Sequence, residues 1–383
     1  MERKPELPYF QEEYEGEYPK EAPFTIGELE EIYPTASQKA KENEAYREKA
    51  LHATYLLQNG HRGYTALWNH IIQVSVSDLK KNYANLHVEF DLWKGESDAQ
   101  AYIPDMVERL KTEGYAHIDD GALVVDVEEE TDTKDVPPCI IQKSDGASLY
   151  STTDLATLVQ REEDYHPDQV IYLADKRQEL HFVQVFRTAK KTGIVPEETD
   201  LKFLGFGTMN GKDGKPFKTR EGGVMRLENL IAEIEGEMLK KIMDNRTVEE
   251  EARKTARLVG LAAIKYGDLS NQASKDYVFD VDRFTSFEGN TGPYVLYTIV
   301  RIKSILNKYQ ADGGNLAGLC VMPADSDSEK ALQLETSKYN DVMAAAYEEL
   351  APHKICAYIY DLANAFNRFY HEVKILAEED AKK

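Results

Sequence analysis

Helical spacing of apolar residues dominates the N-terminal part of the chain. One helical run leads from Ser37, a candidate N-cap, to Asn59 and Gly60, a candidate C-cap. A shorter helix is predicted around 26–33. The next helix carries apolar residues three and four positions apart, at Trp68, Ile72, Val76, Leu79 and Tyr83. At 86–92 apolar and polar residues alternate strictly, which predicts one half-buried strand.

The middle of the chain alternates between strand and helix patterns. Its predicted elements are strands at 122–127, 139–141, 169–173 and 201–206 and helices at 101–114, 152–163 and 179–191. From 139 onward the order is β-α-β-α-β with short connections. That order predicts a parallel sheet with right-handed crossovers, and ligands then bind at the carboxyl ends of the strands.

The last third of the chain is predicted to be almost wholly helical. Its predicted helices are at 227–242, at 248–268, and from Pro293 and Pro352 onward. The second of them is opened by a capping box of Thr247 and Glu250. A loop rich in Gly, Ser and Asp is predicted at 311–330. The predicted fold class is therefore α/β plus all-α.

The charge balance of the chain is strongly acidic. Its 383 residues carry 46 Lys and Arg against 68 Asp and Glu, a formal net charge of −22. Such a chain is not expected to bind nucleic acids non-specifically over its whole surface, and no DNA partner is expected. A local basic groove can still bind RNA, because salt screens charges beyond a Debye length of about 8 Å. The chain length predicts two or three domains.

Neither a membrane nor a tightly bound metal is expected. No stretch approaches the roughly 20 apolar residues that cross a bilayer, and the polar start does not fit a secretory signal. Cys139, Cys320 and Cys356 are far apart and lack paired ligand spacing, which argues against a disulfide framework and against structural zinc. A cytoplasmic location is therefore expected, and any metal would arrive with a nucleotide.

A loop at 211–223 combines glycines with cationic side chains directly ahead of a predicted helix. Its glycines let the backbone approach an anion, and Lys215, Lys218 and Arg220 supply positive charge. A polyphosphate is the expected ligand, although a solvated surface turn accounts for the same composition. No Walker loop and no dinucleotide fingerprint accompanies it.

Two further loops follow predicted strands. Tyr150 and Asp154 lie four residues apart at the entry to a helix, so they share a face of it. Together they could bind a cation such as a guanidinium. The alternative is that Asp154 only favours the helix dipole and Tyr150 only packs. Gln178 and His181 begin the next helix, where either could contact a ligand; Gln178 could instead cap the helix, and His181 could be a structural residue.

Six segments, taken together, carry a resemblance to a known family. They are 90–97 (FDLWKGES), 144–156 (SDGASLYSTTDLA), 178–184 (QELHFVQ), 211–223, 288–297 (EGNTGPYVLY) and 352–370 (PHKICAYIYDLANAFNRFY). The chain resembles bacterial arginyl-tRNA synthetase, a class I aminoacyl-tRNA synthetase, over nearly all of its 383 residues. The resemblance implies the second half of a Rossmann-type parallel sheet with a helical connective insertion, followed by a helical bundle.

The resemblance also implies domain boundaries. Residues 1–105 would be the mostly helical connective insertion, and 106–247 the second half of the nucleotide-binding catalytic domain. Stem helices and a partial anticodon-binding domain would occupy 248–383. The family's HIGH-motif half and its last anticodon-domain helices have no counterpart here, so the chain is expected to be a fragment that is inactive alone.

The resemblance implies roles for the residues of the loops. Lys215 and Lys218 take the place of the family's KMSKS element, where they would stabilise the ATP phosphates as pyrophosphate leaves, and Thr219 would also contact ATP. His181 would lie near ATP. Magnesium would come with ATP, and no tightly bound metal is expected.

For the amino acid, the resemblance implies that Tyr150, Asp154 and Gln178 line the arginine pocket. The expected activity of the intact enzyme is arginine-tRNA ligation, with arginine, ATP and tRNA(Arg) as partners and with no membrane or DNA partner. The alternative from another functional class is a non-catalytic tRNA-binding or regulatory module built on a synthetase body.

Overall fold

Residues 1–11, 14–215, 225–243 and 249–377 are described in this computed structural model of the chain. The chain divides into an N-terminal unit, Met1–Phe90, and a C-terminal unit, Asp91–Lys383. The boundary predicted after 105 stays a prediction, and the one predicted after 247 lies outside the described residues.

Helices α1 (Ile26–Glu42), α2 (Glu44–Gln58) and α3 (Arg62–Asn85) form most of the N-terminal unit, preceded by a 3-10 helix at Pro8–Phe10. Thr25 begins α1 with a capping box, because its hydroxyl accepts from the Glu28 amide and the Glu28 carboxylate accepts from the Thr25 amide. Asn43 caps α2. The N-cap predicted at Ser37 is therefore wrong, since Ser37 lies inside α1. The predicted stop at Gly60 is confirmed by its left-handed backbone, with φ of 74°.

The strand predicted at 86–92 is wrong. Helix α3 ends at Asn85, His87 takes a left-handed backbone with φ of 52°, and no strand in the described part of the unit pairs with the residues that follow. Phe90 packs edge-on against Tyr83 of α3 instead, with ring centroids 4.9 Å apart. An alternating segment becomes a strand only beside a partner, and its own sequence cannot reveal that the partner is missing.

The C-terminal unit begins with short strands and helices around one apolar core. In chain order, its elements are a 3-10 helix at Glu96–Tyr102, α4 (Ile103–Thr112), β1 (His117–Asp119), β2 (Ala122–Val125), β3 (Cys139–Gln142), α5 (Tyr150–Tyr165), β4 (Gln169–Asp175), a 3-10 turn at Lys176–Gln178, α6 (Glu179–Lys191), β5 (Asp200–Phe206) and β6 (Met209–Asn210). The core joins α4, α5 and α6 to β2 and β3, and it includes Leu110, Ile141, Leu155 and Val185. The helices predicted at 152–163 and 179–191 are confirmed.

The strands of this unit form separate sheets rather than one. β4 and β5 pair in parallel, from Gln169 opposite Asp200 to Asp175 opposite Phe206, so the predicted crossover through α6 is confirmed. β3 instead pairs antiparallel with β2, which pairs with β1. The prediction that 139–141 belongs to the parallel sheet is therefore wrong. A four-residue apolar strand has no signature of pairing direction, and its burial against α5 satisfies either arrangement.

Helices fill the remainder of the C-terminal unit. They are α7 (Leu227–Met243), α8 (Glu249–Leu269), α9 (Val281–Phe284), α10 (Gly292–Ala311), α11 (Asp327–Ser337), α12 (Tyr339–Glu348) and α13 (Pro352–Glu372), with β7 (Tyr277–Val278) between α8 and α9 and a 3-10 turn at Ile375–Ala377. β7 pairs in parallel with β6. The predicted helix starts at Pro293 and Pro352 are confirmed, whereas α11 and α12 were not predicted. The capping box of Thr247 lies outside the described residues.

The described ranges lack two kinds of feature. No helix there is long and apolar enough to cross a membrane. In the same ranges, no three His, Cys, Asp or Glu side chains are grouped so that they could hold a metal ion.

Candidate functional site

The start of α5 is tied to the end of β3. The Thr152 hydroxyl accepts a hydrogen bond from the Leu149 amide at 2.9 Å and donates to the Ile141 carbonyl at 2.6 Å. Thr152 is completely buried, so both bonds are shielded from water. They fix the first turn of α5 and with it the position from which Asp154 projects.

The start of α6 follows β4 through one 3-10 turn. The Asp175 carboxylate accepts from the Arg177 amide and from its guanidinium, with Nη2 2.7 Å from Oδ2, and this guanidinium lowers the pKa of Asp175 to about 2. Gln178 is the N-cap residue of α6, but its side chain makes no capping bond. His181 then lies in the first turn of α6, next to the carboxyl end of β4.

Asp154 and His181 meet where α5 and α6 begin. His181 Nε2 lies 2.6 Å from Asp154 Oδ2, and each side chain is 27% exposed. Within the described residues, the other oxygen of Asp154 and the Nδ1 of His181 have no hydrogen-bond partner. A carboxylate has about four acceptor positions. The site therefore presents a half-buried carboxylate with acceptor capacity to spare.

The other two residues predicted for arginine lie at the same helix starts. Tyr150 is the first residue of α5 and is 73% exposed. Gln178, just before α6, is also exposed. Neither side chain hydrogen-bonds to Asp154 within the described residues, so both are accessible to a ligand. Their roles in binding arginine stay predictions.

Aromatic side chains pack next to the Asp154 and His181 pair. The Phe182 ring packs edge-on against the His181 ring at 5.0 Å and lies 4.8 Å from the Tyr172 ring on β4. Burial, with the Asp154 charge as a smaller cause, raises the pKa of Tyr172 to about 12. The Tyr172 hydroxyl is buried and has no hydrogen-bond partner among the described residues. The buried hydroxyl could not be predicted from the sequence, because Tyr172 stands in an ordinary apolar strand pattern.

The glycine- and lysine-rich loop is described only at its start. Gly214 takes a left-handed turn, with φ of 73°, and the Gly211 amide donates to the Lys215 carbonyl at 2.8 Å. The turn leaves the Lys215 side chain exposed. Lys218 and Thr219 lie outside the described residues, so their predicted contacts with ATP stay predictions.

Lys212, in the same loop, is held by carboxylates of the protein. Its Nζ lies 3.1 Å from Asp280 Oδ1 and 3.7 Å from Asp282 Oδ2. The Asp280 carboxylate raises the pKa of Lys212. This cation thus joins the loop to the start of α9, and Lys215 is the better placed of the two to meet a phosphate.

A second exposed cluster joins α10 and α13. The Arg301 guanidinium lies between the rings of Tyr297 and Tyr370, 4.9 Å and 4.7 Å from their centroids, and it donates to Asn367 at 2.5 Å. Tyr297 is 51% exposed and Tyr370 is 38% exposed. Sequence reasoning missed this cluster. The spacing of Tyr297 and Arg301 was a usable signal, but Tyr370 comes from another helix.

An apolar groove of about 890 Å³ lies on the other face of the β4–β5 pair. Leu173 and Phe206 line it, and along their strands they alternate with the residues that face α6. Asp268 and Lys275 are the charged members of its lining. So apolar a surface suits neither a guanidinium nor a polyphosphate, and the Asp154 and His181 pair is the better candidate for a polar ligand.

Comparisons with known proteins assign both parts of the sequence. Residues 8–281 match the family described as tRNA synthetases class I (R), catalytic domain, and 295–383 match the DALR anticodon binding domain. The arginine–tRNA ligase of Agathobacter rectalis is 67% identical over 388 residues, which cover 99% of this chain and 65% of that protein. The ligase of Alkaliphilus oremlandii is 60% identical over 382 residues, with 100% and 65% covered. The chain thus spans about 65% of the length of these relatives.

Solved structures agree with this assignment. The arginyl-tRNA synthetase of Plasmodium falciparum aligns with a TM-score of 0.72 and 26% identity, over 88% of this chain and 58% of that one. The Thermus thermophilus arginyl-tRNA synthetase aligns with a TM-score of 0.71 over 90% and 63%, and its 19% identity supports the fold alone. The predicted fold class, mixed α/β followed by a helical domain, is confirmed. The chain therefore belongs to the class I arginyl-tRNA synthetase family.

Proposed function

We propose that this chain forms part of an arginine–tRNA ligase, which activates arginine with ATP and transfers it to tRNA(Arg). The observation that supports this most directly is the half-buried Asp154 carboxylate at the start of α5, with acceptor capacity left over. The family match supplies the reaction class, and the relatives named arginine–tRNA ligase supply the amino acid.

The chemistry of a carboxylate explains a preference for arginine over lysine. A guanidinium is planar and presents parallel N–H groups that match the two oxygens of a carboxylate, whereas an ammonium is a point charge. We propose that Asp154 takes the guanidinium and that Tyr150 and Gln178 complete the pocket. When the wrong substrate leaves the polar groups of a site unpaired, the site discriminates against that substrate by roughly 10⁴-fold.

The proposed ATP contacts come from the glycine- and lysine-rich loop. Lys215, Lys218 and Thr219 would meet the phosphates. Magnesium enters as part of the MgATP substrate. The arginine carboxylate attacks the α-phosphate and pyrophosphate leaves, so the protein has to position the two substrates and neutralise charge, and it supplies no nucleophile.

The proposed tRNA contacts lie in the helical part of the C-terminal unit. Exposed aromatic rings and arginine planes are the side chains on which unpaired RNA bases stack. The Tyr297, Arg301 and Tyr370 cluster has this composition, and both of its rings are exposed. The same cluster favours the second candidate function, a non-catalytic tRNA-binding module. The proposed place of action is the cytoplasm, with no membrane or DNA partner.

Arginine-dependent ATP–pyrophosphate exchange, with tRNA present, tests the ligase proposal. We expect the complete protein to catalyse exchange with arginine and not with lysine, and we expect Asp154→Ala and Lys218→Ala to lose most of that activity. Unchanged exchange in both variants would remove the site assignment. Tight tRNA binding without any exchange would favour the binding-module candidate.

A further inference from the structure

The contact between Asp154 and His181 assigns the carboxylate an orientation before any ligand arrives. His181 Nε2 is 2.6 Å from Asp154 Oδ2, a short distance even for a charge-assisted hydrogen bond. The two residues are 27 positions apart and come from different helices. The contact therefore also fixes the start of α6 against the start of α5.

The rest of the His181 environment is consistent with a fixed ring. The ring packs edge-on against Phe182 at 5.0 Å, and Phe182 in turn stacks on Phe203 of β5 at 5.0 Å. Among the described residues, Asp154 is the hydrogen-bond partner of the imidazole. An aspartate side chain has two rotatable bonds, and a partner held in this way restricts both.

We propose that His181 is a positioning residue for the amino acid: it donates from Nε2 to Asp154 Oδ2 and thereby holds the carboxylate in the orientation that receives the guanidinium. This inference rests on the proposed function, and it gives His181 a role distinct from the contact with ATP that the family resemblance implies. His181 acts through Asp154 and does not touch the reacting atoms.

The hydrogen bond from His181 leaves room for a substrate at the carboxylate. One hydrogen bond from Nε2 uses one of about four acceptor positions, so a guanidinium can still bind in the bidentate mode. A lysine or arginine at position 181 would neutralise the carboxylate and compete with the substrate for it.

The test compares three substitutions of one residue in the complete protein. His181→Gln keeps an N–H donor, His181→Glu has nearly the same size as Gln but carries a negative charge toward Asp154, and His181→Phe keeps a ring without a donor. His117→Phe is the matched control, because His117 faces Asp126 at 3.8 Å in a different pair. KM for arginine, KM for ATP and kcat are measured for each variant by pyrophosphate exchange.

We expect KM for arginine to rise about 10- to 100-fold in His181→Phe, because a carboxylate that is no longer held in place loses one of its two charge-assisted hydrogen bonds to the guanidinium. His181→Gln should stay within about threefold of the parent, and His181→Glu should be at least as impaired as His181→Phe. KM for ATP should hardly change in any of them. If the Phe variant fails to fold, the difference in KM for arginine between His181→Gln and His181→Glu still tests the positioning role.

Two results separate failure of this inference from failure of the proposed function. An unchanged KM for arginine in His181→Glu, or a rise confined to KM for ATP, would overturn the positioning role while Asp154→Asn still impairs arginine use. An unchanged KM for arginine in Asp154→Asn as well would overturn the proposed arginine site itself.

Discussion

At the scale of single residues, the buried hydroxyl of Tyr172 is the clearest energetic irregularity near the site. It has no hydrogen-bond partner in the described part of the chain. A buried polar group without a partner costs about 1 to 3 kcal/mol. We therefore expect Tyr172→Phe to raise the free energy of unfolding, by up to about 1 kcal/mol, because the ring packing is kept.

Chemical denaturation of the two proteins checks this expectation. Phe182→Ala is the control for ring packing, and we expect it to lose about 3 to 5 kcal/mol because it leaves a cavity. A loss of more than about 1 kcal/mol in Tyr172→Phe would mean that the hydroxyl makes a bond of its own.

A second residue-scale prediction concerns acid stability. Arg187 forms two hydrogen bonds of 2.6 Å with Asp132, and they lower the pKa of that carboxyl from 3.8 to about 2. The unfolded chain therefore binds more protons than the folded one between these values, so stability falls as the pH drops from about 4 to about 2. We expect Asp132→Asn to be less stable than the parent near neutral pH and to lose less on acidification.

Thermal unfolding of both proteins at several pH values measures this difference. The gap in melting temperature between parent and Asp132→Asn should shrink through the window from about pH 4 to about pH 2. A gap that stays constant would show that the ion pair with Arg187 makes no pH-dependent contribution.

Sequence reasoning could identify residue types that suit a ligand, but not which of them meet. Asp154 and His181 were both singled out from strand-end loops, and the structure joins them at 2.6 Å. Their contact depends on how α5 and α6 pack, which a one-dimensional pattern does not contain. Tyr150 and Gln178 were also singled out, and their exposure leaves them available without fixing their roles.

At the scale of elements, helices were predictable where a strong period met a clear end signal. The helix predicted at 179–191 has the observed bounds of α6, and Pro352 begins α13 as predicted. Strands were less predictable, because a strand requires a partner that its own sequence does not show. The segment at 86–92 alternates without pairing, and β3 pairs with β2 rather than with β4.

The packing of α10 against α8 gives an element-scale prediction. A Cβ added at Gly292 would lie 2.2 Å from the Ala262 carbonyl oxygen, which leaves no room for a side chain. We expect Gly292→Ala to destabilise the protein by about 1 to 3 kcal/mol through overpacking. Denaturant unfolding measures the change.

Gly236 of α7 is the matched control for this prediction. A Cβ there would meet no atom within 4 Å, and the residue lies in a helix interior. Gly236→Ala should therefore stabilise the protein by about 0.5 to 1 kcal/mol, since alanine loses less backbone entropy. Equal effects of the two substitutions would contradict the close approach of α10 and α8.

At the scale of the whole molecule, the acidic charge bears on RNA binding. With a net charge of −22, the chain repels a polyanion unless local cations are presented to it. We expect tRNA affinity to fall steeply with salt, because phosphate contacts release counterions. Filter binding or fluorescence anisotropy over a range of salt concentrations measures the slope.

Substitution of Arg301 separates stacking from general charge. We expect Arg301→Gln to weaken tRNA binding by about tenfold, because it removes the cation between Tyr297 and Tyr370. Arg368→Gln is the control, because it removes the same charge from a residue of α13 that pairs with Glu372. Equal losses in the two variants would contradict this role of the cluster, and binding independent of salt would contradict the predicted phosphate contacts.

The most direct test of the arginine site is calorimetric titration of the complete protein with L-arginine. The comparison is between the parent, Asp154→Asn and Asp164→Asn, which makes the same change on the same helix at a carboxylate paired with Lys94. We expect Asp154→Asn to lose about 100-fold or more in affinity, because a neutral amide cannot pair with a guanidinium, and Asp164→Asn to match the parent. Equal arginine affinity in the parent and in Asp154→Asn would contradict a guanidinium site at this carboxylate.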